Sequence, residues 1–250
     1  MDWYLAVALP AEYGNMRPGG SPMGIGVDTL GYLLLPLATA AEGVEIVPNV
    51  GTSYLAAGPP FAGADTIRAA EPLQEIYSEH VTQLVVRGGE DYLGYLRELM
   101  GTPFLMTPRR TPGGHHQTDS RLGSDCAAFA VYGRRRMGRP VEYLGPGGII
   151  RYLRLLRPGS LAVGGDSGKD LYLDRLGKPV PIGEEGLLPG DILHFGEQVS
   201  VFAEDRGLEG FLDGEDMLIQ SWRNGPHLCT VENSGFAHLP VRIYRWAEGF

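Results

Sequence analysis

The sequence predicts an α+β fold, and three observations carry this prediction. Helix patterns open the second part of the chain, around "DYLGYLRELM" and "CAAFAVYGRRR". Past residue 170 the pattern becomes short apolar runs typical of strands: "DILHF", "QVSVFA", "DMLIQSW", "HLCTV" and "VRIYRW". The 37 glycines and 19 prolines indicate many turns and short strands. Helices followed by an antiparallel set of strands are typical of the α+β class.

Composition and charge limit the kinds of partner that the chain is expected to bind. The chain has 250 residues, of which 43% are hydrophobic and 20% charged, as expected for a folded protein with a substantial core. Its formal charge of −9 argues against nucleic acid or an anionic membrane as a partner. The longest apolar run, residues 29–41, is too short and too broken by Gly and Pro to span a bilayer. The N-terminus lacks a basic segment and carries Asp2, so no signal peptide is predicted and the location stays open.

Two parts are predicted along the chain. Residues 1–87 contain short apolar runs ("WYLAVAL", "VEIVPNV", "VTQLVV") and form a small β-rich region of unknown role, in which residues 48–65 are mostly loop. Residues 88–250 form the second domain. Its first helix is capped by Asp91, and Gly101 is placed at the position just past its end.

The stretch "RLGSDCAAFAVYGRRRMG" places a cysteine at the start of the next helix. With Ser124 or Asp125 as the N-cap, Cys126 lies in the first turn, where free backbone N–H groups and the helix dipole stabilise a thiolate. The same N–H groups can bind an oxyanion. A nucleophile also needs a base and a group that orients the base. The alternative is a small buried cysteine of the core.

The order of motifs "LRELMGTPF", "GSDCAAFAVYGRRRMG", "LLPGDILHF", "QVSVFAEDRG" and "DMLIQSW" resembles the NlpC-type cell-wall peptidases, which are papain-like cysteine peptidases. The resemblance covers about residues 88–225. It implies a papain-like domain with an antiparallel sheet packed on the nucleophile helix. It also implies hydrolysis of an amide in peptidoglycan stem peptides, with Cys126 as nucleophile, Gln220 at the orienting position and no metal in the chemistry.

The sequence departs from this family at the base. Gln198 stands where the family has its catalytic His, and an amide cannot take a proton from a thiol at neutral pH. Phe104 also replaces the family's Tyr. His194 is near in sequence, but a two-residue turn at Gly196-Glu197 pairs His194 with Val199 and turns it to the face opposite Gln198. Two other histidines are predicted as alternative bases, namely His116 and His227.

An acidic segment, "EDRGLEGFLDGED", resembles a degenerate EF-hand loop. The predicted calcium ligands are Asp205, Glu209, the carbonyl of Phe211, Asp213 and Asp216. Gly207 removes one ligand from the usual pattern, and a plain acidic hairpin explains the same residues.

Three functions follow as alternatives. The first is a cysteine peptidase or amidohydrolase that acts on stem peptides or a related amide, with no required cofactor. The second is a catalytically inactive papain-like domain that binds a cell-wall peptide or a protein partner, with Gln198 as a hydrogen-bonding replacement for His. The third is a transglutaminase-like or amidase member of the broader papain-like group.

Overall fold

A computed structural model describes residues 2–8, 32–37, 49–58, 81–110, 114–156, 161–164 and 171–249. It has an α+β fold that is mostly sheet with few helices. The strands are β1 (Asp2–Ala8), β2 (Tyr32–Pro36), β3 (Gly51–Gly58), β4 (Thr82–Val86), β5 (Leu153–Leu155), β6 (Leu161–Gly164), β7 (Tyr172–Leu173), β8 (Ile192–His194), β9 (Val199–Glu204), β10 (Met217–Trp222), β11 (Gly225–Thr230) and β12 (Val241–Trp246). The α-helices are α1 (Tyr92–Arg97), α2 (Cys126–Arg136) and α3 (Pro146–Ile149).

The chain divides into two compact units. The first comprises Met1–Glu90, Arg97–Asp125 and Arg223–Pro226, and the second comprises Asp91–Leu96, Cys126–Trp222 and His227–Phe250. The boundary at residue 88 stays a prediction. Among the helices of the described residues, none is long and apolar enough to cross a membrane.

The first unit contains an antiparallel sheet of four strands in the order β2-β1-β3-β4. β1 and β4 fall on two of the apolar runs that predicted strands, whereas most of "VEIVPNV" lies outside the described residues. The prediction of loop for residues 48–65 was wrong for β3, which pairs with both β1 and β4. Pairing on both edges and burial of Tyr54 and Leu55 outweigh the low strand propensity of its alanines and glycines.

Residues past α1 are fixed to β3 within this unit. The backbone N–H of Thr52 donates to the carbonyl oxygen of Met100 at 2.7 Å, and the Thr52 hydroxyl donates to that of Glu98 at 2.5 Å. Gly101 has a φ of +86°, and a Cβ at this position would lie 2.4 Å from the Thr52 carbonyl oxygen. Glycine is therefore required at the position where the sequence predicted the end of the helix.

The second unit is built on a larger antiparallel sheet. Its strands run in the order β11-β10-β9-β8-β12-β6-β7, and β5 pairs with β12. The described core beneath it is apolar and consists of Tyr172, Val180, Leu187, Leu193, Phe195, Phe202, Leu212, Leu218, Val231, Val241 and Ile243. The strands predicted past residue 170 are all present.

The sequence predicted where two helices of this unit begin. The side chain of Asp91 accepts a hydrogen bond from the backbone N–H of Gly94 at 2.6 Å, which confirms Asp91 as the cap of α1. Helix α2 begins at Cys126 and packs against β9 and β10. The hydroxyl of Tyr92 donates to the carbonyl oxygen of Ala130 at 2.8 Å, so α1 is fastened to α2.

Candidate functional site

Helix α2 carries Cys126 as its first residue, as the sequence predicted. The side chain is 6% exposed. Its Sγ lies 3.8 Å from the carbonyl oxygen of Glu197, to which the thiol S–H donates a weak hydrogen bond. A carbonyl oxygen in this place favours the protonated thiol, because it would repel a thiolate. This contact therefore opposes the effect of the helix N-terminus.

The turn that carries Glu197 connects β8 and β9. His194 pairs with Val199, and the backbone N–H of Phe195 donates to the carbonyl oxygen of Gln198 at 2.9 Å. Gly196 has a φ of +91°, a conformation that favours glycine in a tight hairpin. The predicted two-residue turn is confirmed, and alternation along the strands places His194 and Gln198 on opposite faces.

His194 is fixed as a neutral imidazole. Its Nδ1 accepts a hydrogen bond from the backbone N–H of Gly196 at 3.2 Å, and its Nε2 donates to the carbonyl oxygen of Pro146 at 3.0 Å. Burial lowers the pKa of His194 below its ordinary value, and the bond to Pro146 opposes this shift. With both nitrogens engaged, His194 has no free lone pair for a proton from Cys126. It connects the β8–β9 turn to α3 instead.

Gln198, which the sequence resemblance aligns with the base of the NlpC-type peptidases, is 2% exposed. Its Nε2 donates to the carbonyl oxygen of Val199 at 3.2 Å and to Oε1 of Gln220 at 3.3 Å. Among the described residues, its Oε1 has no hydrogen-bond partner. The Gln198 amide is thus held by hydrogen bonds from its Nε2, and its buried Oε1 has none in the described part of the chain.

Gln220 is the centre of a buried polar network and has no exposed surface. Its Oε1 accepts from the Ser200 hydroxyl at 2.7 Å as well as from Gln198. Its Nε2 donates to the carbonyl oxygen of Ser234 at 3.1 Å and lies 3.4 Å from Sγ of Cys229. Gln198 and Gln220, which the sequence resemblance aligns with the base and the orienting position, are in contact through their side-chain amides.

His227 approaches the same network from β11. It is partly buried, and its Nε2 lies 3.5 Å from Nε2 of Gln220. Its neighbour Cys229 is not an activated thiol. Burial raises the pKa of this thiol to about 11, and the hydrogen bond from Gln220 opposes the shift only in part. The structure therefore brings Gln198, Gln220 and His227 together, and the role of His227 as a base stays a prediction.

His116, the other predicted base, is engaged within its own loop. Its Nε2 lies 3.1 Å from the carbonyl oxygen of Pro108, and its Nδ1 accepts from the backbone N–H of Thr118 at 3.2 Å. As in His194, both ring nitrogens have partners, so this conformation offers no free lone pair.

Phe104, which stands in place of the family's Tyr in the sequence resemblance, forms an isolated parallel β-bridge with Ser124. Both residues belong to the first unit.

The acidic segment uses its carboxylates to cap its own backbone. Asp216 accepts from the N–H groups of Arg206 and Asp213 at 2.9 and 2.8 Å. Asp213 accepts from those of Leu208 and Glu215, and Asp205 accepts from that of Gly210 at 2.9 Å. Burial raises the pKa of Asp216 to about 6, although its two backbone hydrogen bonds lower it.

Calcium binding by this segment stays a prediction. Glu209 and Phe211, which complete the predicted ligand set, are exposed. Within the part of the chain that the structure describes, no group of three or more His, Cys, Asp or Glu side chains is placed to hold a metal ion. A plain acidic hairpin, the alternative from the sequence, is consistent with the same hydrogen bonds.

Sequence reasoning missed three members of the network, namely Ser200, Cys229 and Ser234. Ser200 lies on β9, two residues past Gln198, so the period of two could have placed it beside Gln198. Ser234 contributes a backbone carbonyl from a turn at Glu232–Ser234, and no sequence signal predicts that contact.

Known proteins show only a weak similarity to this chain. No protein-family model matches the sequence, and no curated protein matches it. One similar solved structure is that of an NlpC/P60 family protein from Bacillus cereus ATCC 10987, with 12% sequence identity and a TM-score of 0.35. The match covers 98% of this chain and 63% of that protein, so this chain spans less than two thirds of its length. A TM-score this low does not establish a common fold.

Proposed function

We propose that residues 88–250 form an NlpC-type papain-like domain that binds a cell-wall stem peptide, or a related amide, without hydrolysing it. One observation carries the proposal. The amide of Gln198, which the sequence resemblance aligns with the base, donates a hydrogen bond to Oε1 of Gln220 in the buried network. A glutamine amide both donates and accepts hydrogen bonds but takes no proton at neutral pH, so this pair is suited to recognition rather than to general base catalysis.

The environment of Cys126 supports the same proposal. Its Sγ faces the carbonyl oxygen of Glu197, a contact that favours the thiol over the reactive thiolate. Two of the histidines considered as bases, His116 and His194, have partners on both ring nitrogens. Cys126 in this account is a small, buried residue at the edge of the binding site.

A cysteine hydrolase is the second candidate, and one distance favours it. Nε2 of His227 lies 3.5 Å from Nε2 of Gln220, the residue at the orienting position. In that reaction His227 would take the proton of Cys126, and the N–H groups at the start of α2 would bind the oxyanion.

Binding and hydrolysis of one probe, a cell-wall stem tetrapeptide, separate the two candidates. Calorimetry would measure its affinity, and mass spectrometry would follow cleavage, for the wild type, Cys126→Ala and the control Cys229→Ala. A binding domain leaves the peptide intact, and Cys126→Ala changes affinity by less than about threefold. Cleavage that is lost in Cys126→Ala and kept in Cys229→Ala would establish the hydrolase. Absence of binding by all three proteins would refute the proposal.

A further inference from the structure

We propose that the C-terminal end of helix α2 is an interaction surface that binds the carboxylates of an acidic segment of a protein partner. Four arginines lie close together in the sequence there, and we call them the arginine cluster: Arg134, Arg135, Arg136 and Arg139. Cys126 and Arg136 are the two ends of the 11-residue α2. The surface is therefore separate from the site described above and does not depend on its function.

The chain turns back at the end of α2 and brings the cluster together. The backbone N–H of Arg139 donates to the carbonyl oxygen of Arg134 at 3.1 Å, and Gly138 has a φ of +80° in this turn. The helix dipole favours cations in the last turn of a helix, which explains the three arginines inside α2. Arg139 lies past the end of α2 and is exposed, so the dipole does not explain the fourth cation.

Aromatic rings order three of the guanidinium groups. The cation–π pairs, with the distance from the guanidinium carbon to the ring centroid, are Arg134 with Trp246 (5.5 Å), Arg135 with Tyr143 (4.9 Å) and Arg136 with Tyr95 (5.4 Å). An aromatic ring contacts the face of a guanidinium and not its in-plane N–H donors. Such contacts order the side chain without using those donors, which lowers the entropy lost when an anion binds.

The cluster carries positive charge that its neighbours do not balance. Within the part of the chain that the structure describes, neither Arg134 nor Arg139 is ion-paired to a carboxylate. Glu142, the acidic residue nearest to the cluster in sequence, is ion-paired to Arg151. Burial lowers the pKa of Arg134; Tyr92 opposes this shift, and the charge of Arg139 lowers the pKa further. An anion beside the two guanidinium groups would relieve their repulsion.

The surroundings favour an acidic peptide over a phosphate polymer. The formal charge of the chain is −9, so the rest of the molecule repels an extended polyanion. A short acidic segment stays within about 10 Å of the cluster, beyond which salt screens the other charges. Met137 lies among the arginines and is 42% exposed, and its flexible thioether suits an apolar side chain of a peptide. Guanidinium groups also pair with carboxylates through two parallel hydrogen bonds.

Calorimetry on the full chain with a capped peptide, Glu-Glu-Leu-Glu-Glu, tests the proposal. The control ligands are the same peptide with Gln in place of each Glu, and tripolyphosphate. The variants are Arg139→Gln and the double variant Arg136→Gln/Arg139→Gln, in which both replaced side chains are exposed, so the core of the unit stays intact. The matched control is Arg175→Gln, which removes the same charge from an exposed turn outside the cluster.

We expect the wild type to bind the acidic peptide about tenfold more tightly than the Gln peptide. Arg139→Gln should weaken binding about threefold and the double variant about tenfold, whereas Arg175→Gln should change it by less than about twofold. Equal affinities of the wild type and the double variant, or an equal loss in Arg175→Gln, would overturn the proposal. So would absence of binding, or tripolyphosphate binding as tightly as the peptide with the same dependence on the arginines.

Discussion

Replacing Gln220 by leucine tests the buried network that defines the site. The substitution nearly conserves volume but leaves the Ser200 hydroxyl and the Ser234 carbonyl without their partner, whereas Nε2 of Gln198 keeps its bond to Val199. Each orphaned buried group costs about 1–3 kcal/mol. The apolar side chain offsets about 1–2 kcal/mol of the sum. We therefore expect Gln220→Leu to lower the free energy of unfolding by about 1–4 kcal/mol.

Urea denaturation measures this loss. In a Trp3→Phe background, fluorescence reports the unit that contains Trp222 and Trp246, since the chain has three tryptophans. Ser200→Ala alone should cost about 1 kcal/mol, because it removes one hydrogen bond and leaves Gln220 a second donor. In the double variant the Ser200 hydroxyl is no longer orphaned, so the two losses should fall short of additivity by about 1–2 kcal/mol. A loss below 1 kcal/mol for Gln220→Leu, or strict additivity, would refute a tightly coupled network.

Three further predictions concern charge. Because burial lowers the pKa of His194, the unfolded chain binds a proton at this residue more tightly than the folded chain, so stability should fall as pH falls below about 6.5. His194→Gln should remove this contribution, and a pH profile of the urea midpoint that is the same for His194→Gln and the wild type would contradict the prediction. Asp216 has the opposite pH dependence, because burial raises its pKa to about 6 in the folded chain from about 3.9 in the unfolded chain. Its contribution to stability should fall by up to about 3 kcal/mol as pH rises from about 4 to about 6, and Asp216→Asn should lack this dependence. Since the carboxylates of Asp205, Asp213 and Asp216 cap backbone N–H groups, millimolar calcium should leave the melting temperature unchanged relative to chelator; a rise of several degrees would show a calcium site after all.

The sequence predicted the local features of the second unit well. Asp91 as a cap, Cys126 at the start of a helix and the register of the β8–β9 turn all follow from interactions between residues close in the chain. The opposite faces of His194 and Gln198 follow from that register. Such features are set by backbone geometry and by short-range hydrogen bonds, so one sequence is enough to predict them.

The features that escaped prediction depend on distant contacts. β3 contains a Gly/Ala-rich stretch and becomes a strand because β1 and β4 pair with it. Ser234 joins Gln220 from a separate turn, and the carboxylates of the acidic segment accept hydrogen bonds from backbone N–H groups of the same segment. The spacing of acidic residues alone did not reveal what their oxygens bind.

We propose that Cys126 is an unactivated thiol in a binding site, and the pH dependence of its alkylation distinguishes this thiol from an activated nucleophile. Mass spectrometry would follow iodoacetamide labelling of Cys126, with Cys229 as the internal reference for a thiol whose pKa burial raises to about 11. We expect slow labelling of Cys126 with an apparent pKa at or above the free value of about 8.5. Rapid labelling with an apparent pKa well below that value, lost in His227→Ala, would contradict the account and establish a cysteine hydrolase.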